Sequence, residues 1–293
     1  MNAPTVDSRQ VRRNFQRAAS AYDAASFFQQ EVNRRMLERL DYVKIEPARV
    51  LDLGCGTGVS LTALSERYPK SRLVGADACE AMLQAGGAGQ SRLRWLMPFL
   101  RGSKAALVAA DASALPFTAG SMGLVWSNLM LHWLDDPLKA FREMQRVLDV
   151  GGLLMFSTLG PDSLKELRSC FSDGYEHTQR FADMHDLGDM LLAAGYSDPV
   201  MDAERLTLTY AGIKDLFRDL RQNGAGCAMH ARRHGLMGRT VWGAAEEKYA
   251  ALVKDGRLPA TFEVVYGHAW KALPKKDAEG NAVIRFEPKQ RSR

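Results

Sequence analysis

The chain has 293 residues, 46% hydrophobic, 25% charged and 9% aromatic, which is ordinary globular composition and excludes collagen-like, disulfide-scaffold and wholly disordered classes. Lys plus Arg number 39 against 34 Asp plus Glu, a net charge of +5 that permits an acidic macromolecular partner without demanding one. No run approaches about 18 uninterrupted apolar residues, so a membrane-spanning helix is not expected. The opening residues MNAPTVDSRQVRRNF lack the apolar core and the cleavage site of a secretory signal. Cysteines 55, 79, 170 and 227 are too few and too scattered for a disulfide framework or a CxxC zinc site. The expectation is a protein of the cytoplasm with reduced thiols and no metal.

Residues 1 to about 10 read as a loose leader. From Val11 to Leu40 apolar residues recur at helical spacing, which predicts two helices with a break at Ser20–Asp23. Pro47 stops the second, and Arg49–Leu53 is a strand running into Gly54-Cys55-Gly56-Thr57-Gly58. A helix over Val59–Tyr68, a strand over Arg72–Asp77 and a helix opening at Glu80 follow. Further strands are expected at Ala105–Ala110 and Gly123–Ser127, a helix at Leu138–Leu148 and a strand at Leu153–Ser157. Strand and helix therefore alternate from 50 to 157, the pattern of a parallel sheet covered on both faces. Past Gly160 the alternation fails. Helices at Asp162–Phe171, Met184–Ala194 and Lys214–Arg221, with a strand at Arg205–Tyr210, read as the end of the sheet plus helices inserted on the substrate side over about 160–240. The tail from Pro274 is basic and polar and reads as disordered.

The segment VLDLGCGTG (50–58) lies where the first strand meets its helix. Glycines there let the backbone turn sharply and lie against a ligand. The dinucleotide fingerprint GxGxxG is not met, because Val59 stands where its third glycine belongs. Asp52, two places before the first glycine, suits a ligand carrying an ammonium group better than a pyrophosphate, which it would repel. Asp77 ends the second strand, where an acid accepts hydrogen bonds from ribose hydroxyls. Asp111, followed by Ala112, ends the third, within reach of an adenine edge. Ammonium, ribose and adenine together describe S-adenosylmethionine.

With VGADACEAML (74–83), ADASALPF (110–117), LVWSNLMLHW (124–133) and RVLDVGGLLMFSTL (146–159), the whole of 50–159 resembles the class I S-adenosylmethionine-dependent methyltransferases. That resemblance implies a Rossmann-like, doubly wound, seven-stranded and mostly parallel sheet. It places Gly54, Gly56 and Gly58 on the methionine moiety and Asp52 on the loop or the ammonium. Asp77 and Ala78 fall at the ribose, Met82 on the adenine, Asp111 and Ala112 at its amino group, and Asn128 and Leu129 in backbone contact. Residues 91–104 look like an insertion relative to the family.

The acceptor is narrowed first by what is missing. Ser127-Asn128-Leu129-Met130 stands where methyltransferases of base amines carry Asn/Asp-Pro-Pro-aromatic, and no aromatic-interleaved basic patch suits a nucleic acid. The flanks RNFQRAASAYDAAS (13–26), STLGPDSLKELRSCF (157–171), HTQRFADMHDLGDML (177–191) and LPATFEVVYGHAW (258–270) resemble the malonyl-acyl-carrier-protein O-methyltransferases of biotin synthesis. A cousin, a complex I assembly factor that hydroxylates an arginine, shares the leader. Another small-molecule methyltransferase and a non-catalytic S-adenosylmethionine-binding assembly protein also stay open. The family reading implies that residues 1–45 close as a helical lid over a body spanning 46–273, with Tyr22 against the cofactor. A malonyl carboxylate is ionised at pH 7, so no general base is expected, only positioning by Tyr22 and His132. A cation must hold that carboxylate. Arg218 and Arg221, on one helix face before Gly224-Ala225, are the expected pair. The partner would be an acyl carrier protein bearing malonyl-phosphopantetheine, with malonyl-coenzyme A the open alternative. The basic stretch 218–239 is the candidate collar for docking it, with no nucleic acid or membrane involved.

Overall fold

The computed structural model describes residues 5–86 and 105–273; the 91–104 insertion and the tail from Pro274 lie outside the described residues. Strands β1 (Arg49–Leu53), β2 (Arg72–Asp77), β3 (Ala106–Ala109), β4 (Met122–Asn128), β5 (Leu148–Leu159), β6 (Ser197–Tyr210) and β7 (Leu258–Trp270) form one sheet in the order β3-β2-β1-β4-β5-β7-β6. Strand β7 runs antiparallel to both neighbours, β5 and β6; every other pairing is parallel. The expected doubly wound, mostly parallel sheet is the observed one.

The central strands are apolar on both faces because both faces are covered. Alternate residues serve two cores. Val50, Leu124 and Trp126 pack with helices α3 (Phe27–Arg39) and α4 (Val59–Arg67), while Leu51 and Val125 pack with α6 (Pro137–Val147) and α8 (Met184–Ala193). The first core also takes Leu167 of α7 (Lys165–Cys170), Leu216 of α9 (Ile213–Gln222) and Tyr249 of α10 (Arg239–Ala250).

The leader does not behave as one unit. Three helices stand where two were expected: the break after α1 (Ser8–Ala18) overlaps the expected Ser20–Asp23, but Tyr22 and Asp23 belong to an extra single turn, α2 (Tyr22–Ala25). Helix α3, however, is core: its Phe28, Val32 and Met36, with Leu40 just after it, are buried against β1 and β4. Only α1 and α2 rest on the small separate cluster of Ala19, Cys79 and Met82 near helix α5 (80–86).

Four elements depart from expectation. The helix expected over 162–171 shrinks to α7, because Leu164 takes a left-handed φ of 54° and hooks its N–H onto the Thr261 carbonyl at 2.6 Å. Strand β6 begins eight residues before the expected Arg205; as an edge strand it tolerates Pro199, where its register shifts. Helix α10 and strand β7 have no counterpart among the expected elements.

Helix α3 is tied to the site-bearing strands by one buried amide. Asn33 Oδ1 accepts hydrogen bonds from Ser60 Oγ (2.9 Å) and Trp126 Nε1 (3.2 Å), joining α3 to α4 and β4. Asn33→Leu fills the same volume but orphans both donors, which should cost about 2–4 kcal/mol. Urea denaturation should show a lower midpoint at unchanged slope; an unchanged midpoint would mean the junction carries no stability.

Candidate active site

The carboxyl edge of the sheet is organised around the glycine loop after β1. Gly54 has a φ of 75°, and a Cβ there would lie 2.5 Å from Met130 Cγ. Gly56, φ 55°, faces Met82 and Tyr22 across a narrow gap, and a Cβ on it would lie 3.3 Å from Met82 Cε. The loop is sewn to β2: Gly54 N–H and Cys55 N–H both donate to the Ala76 carbonyl, at 2.8 and 3.1 Å. Asp77 completes the stitching. Its Oδ2 accepts from Gly56 N–H at 2.9 Å and its Oδ1 from Cys79 N–H at 2.7 Å, bracing the loop and the entry to α5 together. Burial pushes the Asp77 carboxyl up, against the two amides that pull it down.

Asp52 lies behind the loop, 1% exposed, with Oδ2 lacking any hydrogen-bond partner. Burial first, then the charge of Asp77, push its carboxyl up to about 8. It does not reach the cavity wall, and neither does Gly58, which caps α4 instead.

A cavity of about 440 Å³ opens over this edge. Gly54, Gly56, Asp77, Ala78 and Met82 form one side of its wall. Asp111, Ala112, Asn128 and Leu129 continue it along the ends of β3 and β4. The Asp111 carboxylate accepts from Ser113 Oγ and N–H at 2.5 and 2.8 Å, which holds it below its ordinary value. Asn128 is fixed at both ends of its amide, donating to the Gln29 carbonyl at 3.0 Å and accepting from Ser157 Oγ at 2.7 Å. Leu129 takes a φ of 52° and donates to the Ser157 carbonyl at 3.0 Å, a strained turn that aims the chain into the cavity.

Tyr22 and His132 both line this cavity. Burial, then the charges of Asp77 and Asp23, push the Tyr22 phenol well above its ordinary range. Asp23 lies in the leader motif 13–26 without a role assigned to it there; its carboxylate takes the Thr57 hydroxyl at 2.5 Å and so latches α2 to the glycine loop. His132 sits 3.3 Å from Thr158 Oγ1 and against the rings of Trp133 and Phe181. Burial brings its imidazole down to about 3, leaving it neutral.

The two expected arginines part company. Arg221 reaches the wall and has no acidic partner among the described residues. Arg218 does not reach it: its side chain is 61% exposed and pairs with Asp215 at 2.7 Å, one turn back on α9. The basic stretch 218–239 is in large part neutralised internally, since Arg232 also pairs with Asp7 at 3.0 Å and Arg233 lies 3.6 Å from Asp173. Arg233 lines the cavity with a buried Nε that has no hydrogen-bond acceptor. Asp173 is already engaged by His177 at 2.8 Å. Sequence spacing carries no signal for this, because the partners are about 60 residues apart.

Residues 51–156 match the model of the methyltransferase domain family. The fold is similar to that of the (4+2)-cyclase SpnF, with a TM-score of 0.59 and 18% identity over 94% of this chain and 100% of that one. It is also similar to the YcgJ protein from Bacillus subtilis, with a TM-score of 0.57 and 16% identity over 82% and 99%. Sheet order and matched domain together define a class I S-adenosylmethionine-dependent methyltransferase. Over 97% of its length the chain is 48% identical to the malonyl-(acyl-carrier protein) O-methyltransferase of Gallionella capsiferriformans, covering 98% of it. It is 49% identical to the protein of the same name from Laribacter hongkongensis, over 97% of both. The chain belongs to this malonyl-(acyl-carrier protein) O-methyltransferase family.

The raised Asp52 carboxyl makes stability depend on pH. With its folded value near 8, above the ordinary 3.8, the fold favours the protonated form. That contribution is whole below the ordinary value and is lost as pH rises through about 8. Asp52→Asn removes the loss, so its Tm should fall less than the wild-type Tm between about pH 5 and 9. Parallel curves for the two proteins would place the Asp52 titration elsewhere.

Proposed function

We propose that this enzyme transfers the methyl group of S-adenosylmethionine to the free carboxylate of a malonyl thioester on an acyl carrier protein, the early step of biotin synthesis that the family resemblance implies. The observation that supports the reading is the lining of the cavity: Asp77 beside a glycine loop on one wall, and Arg221 and Arg233 among its other residues. A sulfonium with an ammonium group suits the first, a carboxylate the second.

The residues present fit the cofactor. Around the gap at Gly56, which a side chain would crowd against Met82, stand Met82 itself, Asp77 and Ala78. In this reading Asp77 keeps its two amides and offers remaining lone pairs to the ribose, Met82 packs on the adenine, and Asp111 with Ala112 meets its amino group. Asn128 and Leu129 contribute backbone contacts. Asp52 orders the loop from behind, and its orphaned oxygen answers an ammonium placed across the glycines only through the loop itself. When bound, S-adenosylmethionine supplies an electrophilic methyl group.

The acceptor needs no deprotonation, since a carboxylic acid of ordinary pKa is ionised at pH 7. The work left to the protein is alignment and exclusion of water. Arg221 and Arg233 hold the carboxylate, the first free of any acid among the described residues and the second with an unused Nε. The neutral His132, steadied by Thr158, and the protonated Tyr22 phenol orient the reacting end without adding charge. Helices α1 and α2 form the lid, a smaller one than residues 1–45, and α7 and α9 the substrate side. The four cysteines are free, which suits the reducing cytoplasm; among the described residues no helix is long and apolar enough to cross a membrane.

The deciding experiment incubates the purified enzyme with S-adenosylmethionine and malonyl-carrier protein and reads the acyl arm by mass spectrometry. A gain of one CH2 on the malonyl arm and none on an acetyl arm is expected; an unmodified malonyl arm would overturn the reading. Asp77→Ala should weaken S-adenosylmethionine binding by about 2 kcal/mol, roughly thirtyfold, by calorimetry. Arg221→Ala should leave that affinity intact and raise KM for malonyl-carrier protein; equal loss of cofactor binding would remove Arg221 from the acceptor end.

A further inference from the structure

Helix α1 carries Arg9, Arg12, Arg13 and Arg17 and no acidic residue. At 3.6 residues per turn Arg9, Arg13 and Arg17 fall on one face, while Arg12 sits at its edge and lines the cavity. The opposite face carries Val11 and Phe15, which line the cavity, and the buried Ala18. So the helix roofs the cavity with its apolar side and presents arginines outward.

None of the four guanidinium groups makes an ion pair or hydrogen bond with another described residue. The contrast with α3 is sharp. There Arg34 pairs with Glu31 at 2.8 Å and with Glu38, Arg35 with Glu31 at 2.7 Å and Glu204, and Arg39 with Asp202 at 2.6 Å. The α1 arrangement also works against its own helix: Arg9–Arg13 and Arg13–Arg17 are like charges four residues apart, and Arg9 sits in the first turn at the positive end of the dipole. Asp7, which caps that end, is shared with Arg232. Unpaired like charge kept on one face is not explained by stability.

The stripe is held in place at the rim. Thr5 N–H and Val6 N–H donate to Asp135 Oδ1 at 2.6 and 3.0 Å, Val6 bridges to Met229, and Asn14 Nδ2 donates to the Gly226 carbonyl at 2.9 Å. Of the rival surface, 218–239, Arg218 and Arg232 are paired with internal acids, and Arg233 lines the cavity, 3.6 Å from Asp173.

We propose that the outward face of α1, through Arg9, Arg13 and Arg17, is the docking surface for the carrier protein, an acidic helical body whose thioester arm enters the cavity roofed by the same helix. This rests on the proposed acceptor. Charge complementarity steers the encounter, and the two faces of one helix place the docked body beside the entrance. Arg12 is set apart because it lines the cavity and lies near Asp111.

The test compares wild type with Arg9→Glu/Arg13→Glu/Arg17→Glu on two acceptors, malonyl-carrier protein and the small malonyl-pantetheine. The triple variant should lose about a hundredfold in kcat/KM on the carrier protein, mostly through KM, and stay within about twofold on the small thioester. Calorimetry should show unchanged S-adenosylmethionine affinity. Lysines at the same three positions should restore the carrier-protein rate, and salt should slow wild type but not the glutamate variant. Should the glutamates impair folding, glutamines at the three positions give the same pattern at smaller amplitude. Equal losses on both acceptors, or no loss on either, would overturn the docking surface. A wild type inert on both thioesters would instead overturn the acceptor, and the docked body with it.

Discussion

Two backbone amides, those of Gly56 and Cys79, converge on the buried carboxylate of Asp77, and the shape of the site depends on that convergence. One amide belongs to the glycine loop after β1, the other to the turn that opens α5. A neutral side chain of the same size would offer one acceptor where two are needed, and loop and turn would part. The constraint extends outward. Thr57, inside the loop, donates to Asp23, so α2 is latched to the same brace, and the edge of the sheet and the roof of the cavity share one anchor.

The charges around that anchor divide the cavity's labour. Burial and the nearby charge of Asp77 raise the cost of ionising Asp52, which a cationic ligand would relieve. Elsewhere on the wall Arg221 makes no ion pair with another described residue and Arg233 Nε has no hydrogen-bond acceptor. The wall also holds groups that burial keeps neutral, His132 and Tyr22. Such a site can juxtapose a cation and an anion, and the two groups expected to position the reacting end, His132 and Tyr22, keep their protonation state near neutral pH. Methylation of an already ionised acceptor asks for no more.

The sheet, its order of strands and helices through Leu159 and the wall residues of the glycine loop are legible in the sequence, because a buried parallel strand ending in glycine has few other readings. What fails to show is set by contacts distant in sequence. Helix α3 carries a helical stripe whether it serves a lid or a core, and only Asn33, bonded to Ser60 and Trp126, tells the two apart. Arg218 and Arg221 share a helix face on a wheel, yet Asp215, three residues before Arg218, captures the first. Edge strand β6 is masked by Asp198, Pro199 and Asp202, residues an outer strand tolerates and an inner one does not. Helix α10 does leave a trace, Trp242, Ala245 and Tyr249 at helical spacing, but the glycines at 235, 238 and 243 around it read as loop.

Transfer by positioning alone makes the methyl-transfer step independent of pH, which single-turnover kinetics at saturating S-adenosylmethionine read out. The rate of ester formation on malonyl-carrier protein should be flat from about pH 5 to 7, because the acceptor is ionised and His132 neutral throughout, and Asp52 behind the loop titrates only near 8. A sigmoidal rise with a midpoint in that range would contradict the account, since it would require a group in the cavity to give up a proton before the methyl moves.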